Sequence, residues 1–185
     1  MNQRTRQALI LGGLVLAGVA YACAKDEAET DLTTVPSVDL KRYVGRWFEI
    51  ARYPNRFQKQ CSGATTANYT VLPDGKIEVL NQCRKADGQM DVAKGKAKVA
   101  DQSTKAKLRV TFFWPFYGDY WVIGLDPEYR WAVVGEPGRK YLWILSRTAQ
   151  MSPSDYEQAI GIIRDKGYDP AKLMKTPQRT TATGL

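Results

Sequence analysis

The sequence of 185 residues contains no histidine and only three cysteines. Without imidazole, the chain lacks His-based general bases, Ser-His-Asp triads and zinc sites built on histidine. The CxxC redox motif is absent as well. The long uncharged stretch at residues 8–22 is shorter than the roughly 20 apolar residues that a membrane span needs. These absences exclude several enzyme classes and a multi-span membrane protein.

The chain does have apolar residues and positive charge in quantity. Hydrophobic residues make up 44% and charged residues 25%, which excludes a chain that is disordered throughout. The 27 Lys and Arg against 19 Asp and Glu give a formal charge of +8. This charge indicates anionic partners: phosphates, lipid headgroups or nucleic acid. The length is typical of one domain with a sizeable core.

Residues 1–22 have the layout of a secretory signal peptide. Arg4 and Arg6 precede the uncharged stretch, which ends in the small residues Ala20 and Ala22. Cys23 follows directly and resembles the lipidated N-terminal cysteine of mature bacterial lipoproteins. Two alternatives stay open: cleavage after Ala22 by ordinary signal peptidase, and a permanent N-terminal anchor helix.

The rest of the chain divides by composition. Residues 23–37 are expected to form the lipidated cysteine and a flexible, acidic tether. Residues 38–175 are expected to form the folded domain, and residues 176–185 a disordered tail.

Short alternating runs separated by turn residues fill the folded domain. They predict an all-β fold, either a sandwich or a closed barrel. Because every connection is short, the simplest topology is an eight-stranded antiparallel up-and-down barrel, which is wide enough for one small ligand. The predicted strands are residues 47–53, 64–72, 76–84, 90–99, 105–114, 119–125, 129–134 and 140–148.

One amphipathic helix follows the strands. Ser152 and Pro153 predict its first residues, as N-cap and first helical position. Tyr156, Ile160 and Ile163 then fall on one face. We expect this C-terminal helix to pack with that face against the outside of the barrel.

Cys61 and Cys83 are the two cysteines that remain after Cys23. Export permits a disulfide bond, and their spacing across a predicted hairpin would tie neighbouring strands together. Two buried thiols are the alternative.

Three short motifs stand at defined places on this frame: Gly45-Arg46-Trp47, Asp119-Tyr120 and Arg147. Together they resemble the three conserved regions of the lipocalin family. The phrases GRWFEIARYPNRFQ, FFWPFYGDYWVIGLD and YLWILSRT are similar to the bacterial outer-membrane lipoprotein lipocalins. The resemblance spans about residues 38–175.

This resemblance implies that the motif residues close one end of the barrel and are not catalytic. We expect Trp47 to fill the closed end and Arg147 to lie across its ring in a cation–π contact. Gly45, Asp119 and Tyr120 belong to the same barrel-closing motif. No catalytic residue, cofactor or metal is implied.

The resemblance also implies a partner and a location. The ligand class is fatty acids or lysophospholipids, stored or transported in the bacterial envelope. The location is the outer membrane, facing the periplasm or the surface, with the lipid on Cys23 as anchor.

The ligand site is expected among inward-facing residues near the open end, but alternation does not decide which face points inward. An aromatic loop at residues 114–117 either rims the entrance or forms a homodimer contact. Arg52, Lys98 and Arg109 are unranked candidates for pairing with an anionic headgroup. The candidates for cavity or rim are Phe112, Trp114, Phe116, Tyr117, Tyr141 and Trp143.

Other functions are disfavoured. Single-stranded nucleic acid needs an accessible groove for stacking, which a closed barrel lacks. A carboxylate-pair enzyme would have to combine Glu49 with Glu78 or Asp119, and no spacing singles out such a pair. A lipocalin-fold enzyme with a cysteine nucleophile and a purely structural envelope protein remain as alternatives. Binding without catalysis is the function that the sequence favours.

Overall fold

A computed structural model describes residues 32–178, in which nine strands and two α-helices form one unit. The signal peptide, Cys23 and residues 179–185 lie outside the described residues. Two short 3₁₀ helices occupy Arg56–Gln58 and Pro170–Lys172. The helices and strands are α1 Leu40–Tyr43, β1 Gly45–Arg52, β2 Cys61–Val71, β3 Ile77–Lys85, β4 Met90–Val99, β5 Lys107–Phe113, β6 Phe116–Leu125, β7 Trp131–Gly135, β8 Leu142–Ser146, α2 Pro153–Asp165 and β9 Met174–Lys175.

The first eight strands form a closed antiparallel barrel. Neighbours in sequence pair from β2 to β8, β8 pairs with β1, and β1 pairs with β2 to close the ring. Closure gives the ring strands hydrogen-bonded neighbours on both sides and leaves few exposed strand edges. The predicted eight-stranded barrel is therefore confirmed.

The C-terminal segment completes the barrel wall where β1 and β2 separate. Their pairing ends at Phe48 and Thr66, and beyond this point β1 pairs with β9 instead. The Ala64 amide donates to the Pro177 carbonyl at 2.8 Å. A Cβ on Gly63 would lie 2.6 Å from that same carbonyl oxygen, so the close approach requires glycine. Residues 176–178 are thus part of the wall, and the expectation of a disordered tail is wrong for them.

The segment before α1 also packs on the barrel. Leu32 is buried against the outer core, and the Val35 amide donates to the Val122 carbonyl at 3.0 Å. The tether expected over residues 23–37 therefore does not extend over residues 32–37. The barrel buries these apolar side chains, and the polar composition of the segment does not predict this packing.

The helix α2 lies outside the barrel, as predicted. The Ser152 hydroxyl accepts a hydrogen bond from the Asp155 amide at 3.1 Å and caps the first turn. Ile160 and Ile163 are buried in the cluster between the barrel and α2, which packs on β6 and β7, with Tyr156 beside them. Within residues 32–178, no helix combines the length and apolarity needed to cross a bilayer.

The burial pattern resolves which strand faces point inward. Leu108 and Leu145 belong to the cluster inside the barrel. Leu142 and Ile144 belong instead to the second cluster, between barrel and helix. Because successive residues of a strand alternate, Phe112 and Trp143 share the inward faces with those leucines.

Several strands differ in length from their predictions because side chains hold the adjoining turns. The Asp126 carboxylate accepts from the Glu128 and Arg130 amides, so the turn persists and β7 begins at Trp131. The Glu136 carboxylate binds the amides of Lys140 and Tyr141 in the same way before β8. At the other turn, Phe116 and Tyr117 belong to β6 and not to a loop.

The barrel has two different ends. The base is covered by α1 and by the turns at residues 72–76, 100–106 and 126–130. The opposite end, which we call the mouth, carries the turns at residues 53–60, 86–89, 114–115 and 136–141.

Candidate ligand-binding site

A cation–π pair closes the base. Trp47 is fully buried, and its Nε1 donates to the Tyr43 carbonyl at 2.7 Å. The Arg147 guanidinium carbon lies 3.7 Å from the centre of the Trp47 ring. Arg147 also donates to the carbonyls of Arg42 at 2.6 Å, Arg46 at 2.8 Å and Tyr43 at 3.1 Å. Both side chains are used in closing the barrel and are not available to a ligand.

Gly45 fits this closure for a conformational reason. Its φ of +92° is rare for residues that carry a side chain, and a Cβ there would lie 3.5 Å from Arg147 Nη1. Asp119, by contrast, points to the outside and lies 3.8 Å from Arg109, with both side chains largely exposed. Because Tyr120 points inward, its neighbour Asp119 must point outward. Asp119 therefore does not belong to the closure.

Three tyrosines form a floor above the base. The Tyr120 hydroxyl lies 2.8 Å from that of Tyr43 and 2.9 Å from that of Tyr69. Burial raises the pKa of all three phenols, to about 12 for Tyr69, so they stay neutral at physiological pH. The gap among these rings and their apolar neighbours measures about 10 Å³. This is room for no more than about one water, so a ligand must lie higher.

Above this floor, β4 and β6 present small residues to the interior of the barrel. Val79 pairs with Gly95, Asn81 with Ala93, and Val110 with Gly118, which places these small residues on inward faces. Ala93 and Gly118 are nevertheless exposed. Inward-facing residues that remain exposed indicate a lumen that side chains do not fill.

Aromatic rings line parts of this lumen and its entrance. A Cβ on Gly95 would lie 2.8 Å from the Phe112 ring, so Phe112 packs across the inner wall of β4. Phe57, Tyr141 and Trp143 form a second group, with ring centroids 5.2 Å apart for Phe57–Tyr141 and 6.1 Å apart for Tyr141–Trp143. Phe57 was not among the sequence candidates, because it lies in a loop.

A charged cluster lies beside the aromatic group. Arg52 Nε is 3.1 Å from Glu49 Oε1, and both side chains are buried. Glu49 also accepts from the Gln58 amide at 2.7 Å and from the Thr176 hydroxyl at 2.5 Å. Trp143 Nε1 donates to Gln58 Oε1 at 3.1 Å, which joins the cluster to the aromatic wall.

Burial has the largest effect on Glu49. It raises the pKa of this carboxyl, although the hydrogen bonds from Thr176 and Gln58 and the charge of Arg52 act in the opposite direction. Withdrawal from water thus outweighs the nearby cation.

Arg52 retains capacity to bind an anion. Its Nε faces Glu49 Oε1 at 3.1 Å, whereas its Nη2 makes, among the described residues, only a long contact of 3.4 Å to the Gln58 carbonyl. An open pocket of about 370 Å³ adjoins the guanidinium. Its lining includes Arg56 and Lys59 and, among the described residues, no carboxylate. The three cations make this pocket suitable for an anionic group.

The remaining sequence candidates lie elsewhere. Trp114 and Phe116 are 78% and 72% exposed at the tip of the mouth, outside the lumen. Tyr117 points to the outer surface, where Lys98 lies 4.9 Å and Arg109 5.7 Å from its ring centre. Tyr117, Lys98 and Arg109 are therefore wrong as cavity or headgroup candidates, because strand alternation turns them outward.

The cysteines and carboxylates that were considered for catalysis do not form a common site. Cys61 and Cys83 form a disulfide, with Cα atoms 5.5 Å apart, which ties β2 to β3 at the mouth as predicted. Glu78 is exposed on the outer face of β3, whereas Glu49 is buried inside the barrel, so the two carboxylates do not form a pair. Residues 32–178 contain no group of three or more Asp, Glu, Cys or His side chains placed to hold a metal ion.

The Glu49–Arg52–Gln58 cluster was only partly accessible to sequence reasoning. Glu49 follows Trp47 by two residues, so alternation predicts that both point inward. Gln58 and Thr176 reach Glu49 from a loop and from the C-terminal segment, which no local pattern connects.

Comparison with known proteins gives a consistent result. A family model described as a lipocalin-like domain matches residues 38–178. Temperature-induced lipocalin-1 of Arabidopsis thaliana is 45% identical over 159 residues, which cover 82% of this chain and 85% of that protein. The outer membrane lipoprotein Blc of Escherichia coli K12 is 38% identical over 170 residues, covering 91% of this chain and 96% of that protein.

Among solved structures, insecticyanin from the tobacco hornworm Manduca sexta matches with a TM-score of 0.67. The match covers 82% of this chain and 87% of insecticyanin, at 21% identity. At this identity the likeness concerns the fold alone.

Proposed function

Because the chain belongs to the lipocalin family, we propose that it binds one anionic amphiphile, a fatty acid or a lysophospholipid, inside its barrel. The acyl chain lies in the hollow lumen above the tyrosine floor, and the headgroup lies at Arg52. The protein stores or carries this lipid and needs no catalytic step, cofactor or metal.

The lumen supplies the affinity for the chain. Burial of methylene groups is worth about 0.8 kcal/mol each, so even half of a long acyl chain provides strong binding. Ala93 and Gly118 leave space along one wall, and Phe112, which packs over Gly95, supplies an apolar surface. The neutral tyrosine hydroxyls end this space at the base.

Arg52 carries the proposal of an anionic headgroup. It is buried beside the lumen, its Nη2 makes only a long contact of 3.4 Å to the Gln58 carbonyl among the described residues, and Arg56 and Lys59 line the same pocket. A carboxylate or phosphate would accept these donors, and charge-assisted hydrogen bonds are about twice as strong as neutral ones. Binding of an anion here would also offset the cost of keeping a cation buried.

Two substitutions of the same kind test the lumen. A Cβ on Gly118 meets only the Val110 carbonyl at 4.0 Å, so Gly118→Leu places its side chain in the hollow without a backbone clash. Gly161 lies on α2 with nothing within 4 Å, so Gly161→Leu is the matched control. We expect Gly118→Leu to weaken palmitate binding at least about tenfold and Gly161→Leu to leave it unchanged, measured by isothermal titration calorimetry. Equal binding by both variants would place the ligand elsewhere.

Arg52→Gln tests the headgroup. Palmitate and lysophosphatidylglycerol should bind less tightly, whereas hexadecanol, which has no charge, should bind as before. Arg109→Gln removes an equal charge from the outer face and is the control. If hexadecanol and palmitate weaken together, Arg52 acts on the fold and not on the headgroup.

The location of the protein is proposed separately. We propose attachment to the outer membrane of the bacterial envelope through lipid on Cys23, supported by the order of residues 1–23 and by the similarity to relatives named outer membrane lipoproteins. Metabolic labelling with a fatty-acid probe should mark the wild type and not Cys23→Ala. An unlabelled wild type would refute the anchor.

A further inference from the structure

We propose that the mouth of the barrel docks directly on an anionic lipid surface, with the turn between β5 and β6 inserted among the lipids. This contact is separate from any lipid on Cys23, and it does not depend on which ligand occupies the lumen.

The first observation is a concentration of exposed aromatic rings. Phe113, Trp114 and Phe116 are 75%, 78% and 72% exposed. Phe113 pairs with Phe116 across the hairpin, so both rings lie on the same face, and Trp114 stands at its tip. Such a patch costs free energy in water and marks a contact surface.

Most of the other exposed large apolar side chains lie at the same end. Phe57, Met90, Val92, Phe112 and Met174 are each roughly half exposed in or near the mouth. In the described part of the chain, Val71 is the exception, because it ends β2 at the base. The apolar surface is therefore polarised towards the mouth and not scattered over the barrel.

Charge is polarised in the same direction. The mouth turns 53–60, 86–89, 114–115 and 136–141 contain four Lys or Arg against two Asp or Glu, and Lys85 at the end of β3 adjoins them. The base segments 39–42, 72–76, 100–106 and 126–130 contain five of each sign. On the outer face of β4, Lys94 and Lys96 are also exposed, and Lys96 pairs with Thr111, two residues from Phe113.

These two features together favour a lipid surface over a second copy of the chain. Two mouths facing each other would bring like charges together, which costs free energy. An anionic membrane attracts the same lysines and arginines by about 1 kcal/mol each near the surface. Tryptophan at the tip of an apolar element is also typical of the membrane interface.

Docking in this orientation would bring the mouth into contact with the lipids. The lumen and the Arg52 pocket open towards the same end. A lipid could then pass between membrane and barrel without crossing bulk water, where its chain is poorly soluble.

The experiment uses the full chain made in a cell-free system without acylating enzymes, so Cys23 carries no lipid. Vesicles are phosphatidylcholine alone or phosphatidylcholine with an equal amount of phosphatidylglycerol, and binding is measured by co-sedimentation. We expect binding to the mixed vesicles, weaker binding to the neutral ones, and a decrease as salt is raised. Residues 8–22 are present in every variant, so differences between variants report on the mouth.

Substitutions at the turn separate it from the rest of the surface. Trp114→Ser should reduce binding about tenfold, and the combined change of Phe113, Trp114 and Phe116 to serine on the order of a hundredfold. Val71→Ser removes an exposed apolar residue at the base and should change nothing. These side chains are exposed, so the variants should fold normally, as circular dichroism will verify.

A spectroscopic readout locates the contact. Lipids with brominated acyl chains should quench the emission of Trp114, whereas Trp47 and Trp131 are buried. Trp114→Phe should keep most of the binding but lose most of the quenching. A merely nonspecific attraction by charge would give binding without quenching, and that outcome would overturn insertion.

Two further results would overturn the proposal. One is wild-type binding by the triple serine variant. The other is a dimer in sedimentation velocity that the triple variant abolishes, together with no binding to vesicles, since the mouth would then be a surface for a second copy. Gly118→Leu keeps the two proposals apart, because it should weaken ligand binding in buffer and leave docking intact.

Discussion

Removal of the Arg147 side chain should destabilise the barrel more than any other single arginine change at its base. The guanidinium covers the Trp47 ring at 3.7 Å and donates to three carbonyls between 2.6 and 3.1 Å. Two of these carbonyls, from Arg42 and Tyr43, end the helix α1 and have no partner further along it. Arg147→Ala would remove the charged donor from both carbonyls, leaving Tyr43 only its bond from Trp47 Nε1, and would expose the face of the ring.

The magnitude follows from these contacts. Because Arg147 is only half buried, each hydrogen bond is assigned about 1 kcal/mol, at the low end for a charged donor. The cation–π contact contributes about 1 kcal/mol in a partly exposed position. We therefore expect the free energy of unfolding to fall by about 4 kcal/mol. Arg147→Lys keeps the charge but not the planar fork, so it should recover less than half of this loss.

The assay is chemical unfolding in guanidinium chloride, followed by circular dichroism and tryptophan fluorescence. Arg46→Ala is the control, because its exposed side chain lies at the same end and should matter by less than about 0.5 kcal/mol. Trp47→Ala should cost roughly 3–5 kcal/mol by itself. The double variant should be about 1 kcal/mol less destabilised than the two single effects predict, since the pair shares one contact.

One result would refute this reasoning. If Arg147→Ala and Arg46→Ala destabilise the protein equally, the Arg147 guanidinium does not contribute to the stability of the closed end. The base would then be held by packing of Trp47 alone. A full recovery by Arg147→Lys would likewise show that charge, and not the planar geometry, matters.

Two further predictions concern the mouth. The Cys61–Cys83 disulfide spans 22 residues, and its reduction should lower the free energy of unfolding by about 3 kcal/mol. Chemical unfolding with and without reductant measures this loss. Unchanged stability would show that reduction gives the unfolded chain little additional freedom. Burial raises the pKa of Glu49, so the folded protein binds the proton of this carboxyl more tightly than the unfolded chain does. The contribution of Glu49 to stability is therefore present below pH 4.5 and should fall as the pH rises through the raised pKa. The stability of the wild type relative to Glu49→Gln should therefore decrease over that window, and an increase would mean that the ion pair with Arg52 prevails.

Local patterns explain why much of the fold was accessible from the sequence. Alternating runs and turn residues such as Pro73-Asp74-Gly75 predict hairpins, because side-chain alternation and turn conformation depend on near neighbours in the chain. The start of α2 at Ser152 and Pro153 is predictable for the same reason. The pairing of Cys61 with Cys83 follows from their places on one predicted hairpin.

The strand ends were less predictable than the strands. Alternation continues through Tyr129 and Arg130, yet the Asp126 carboxylate holds these residues in a turn. Carboxylates that bind several amides in succession compete with strand pairing, and the sequence gives no measure of which interaction prevails.

The sequence by itself determined the order of the eight barrel strands, the start of α2 and the place of Trp47 and Arg147 in the closing motif. Only the tertiary structure decided which faces point inward, that residues 32–37 and 176–178 join the barrel, and that Glu49 and Arg52 meet Gln58 and Thr176. The reason is physical: both faces of these strands are apolar, one for the lumen and one for α2, so hydrophobicity does not distinguish them. The cluster at Arg52 joins residues that are up to 127 positions apart, and such contacts exist only once the barrel has closed.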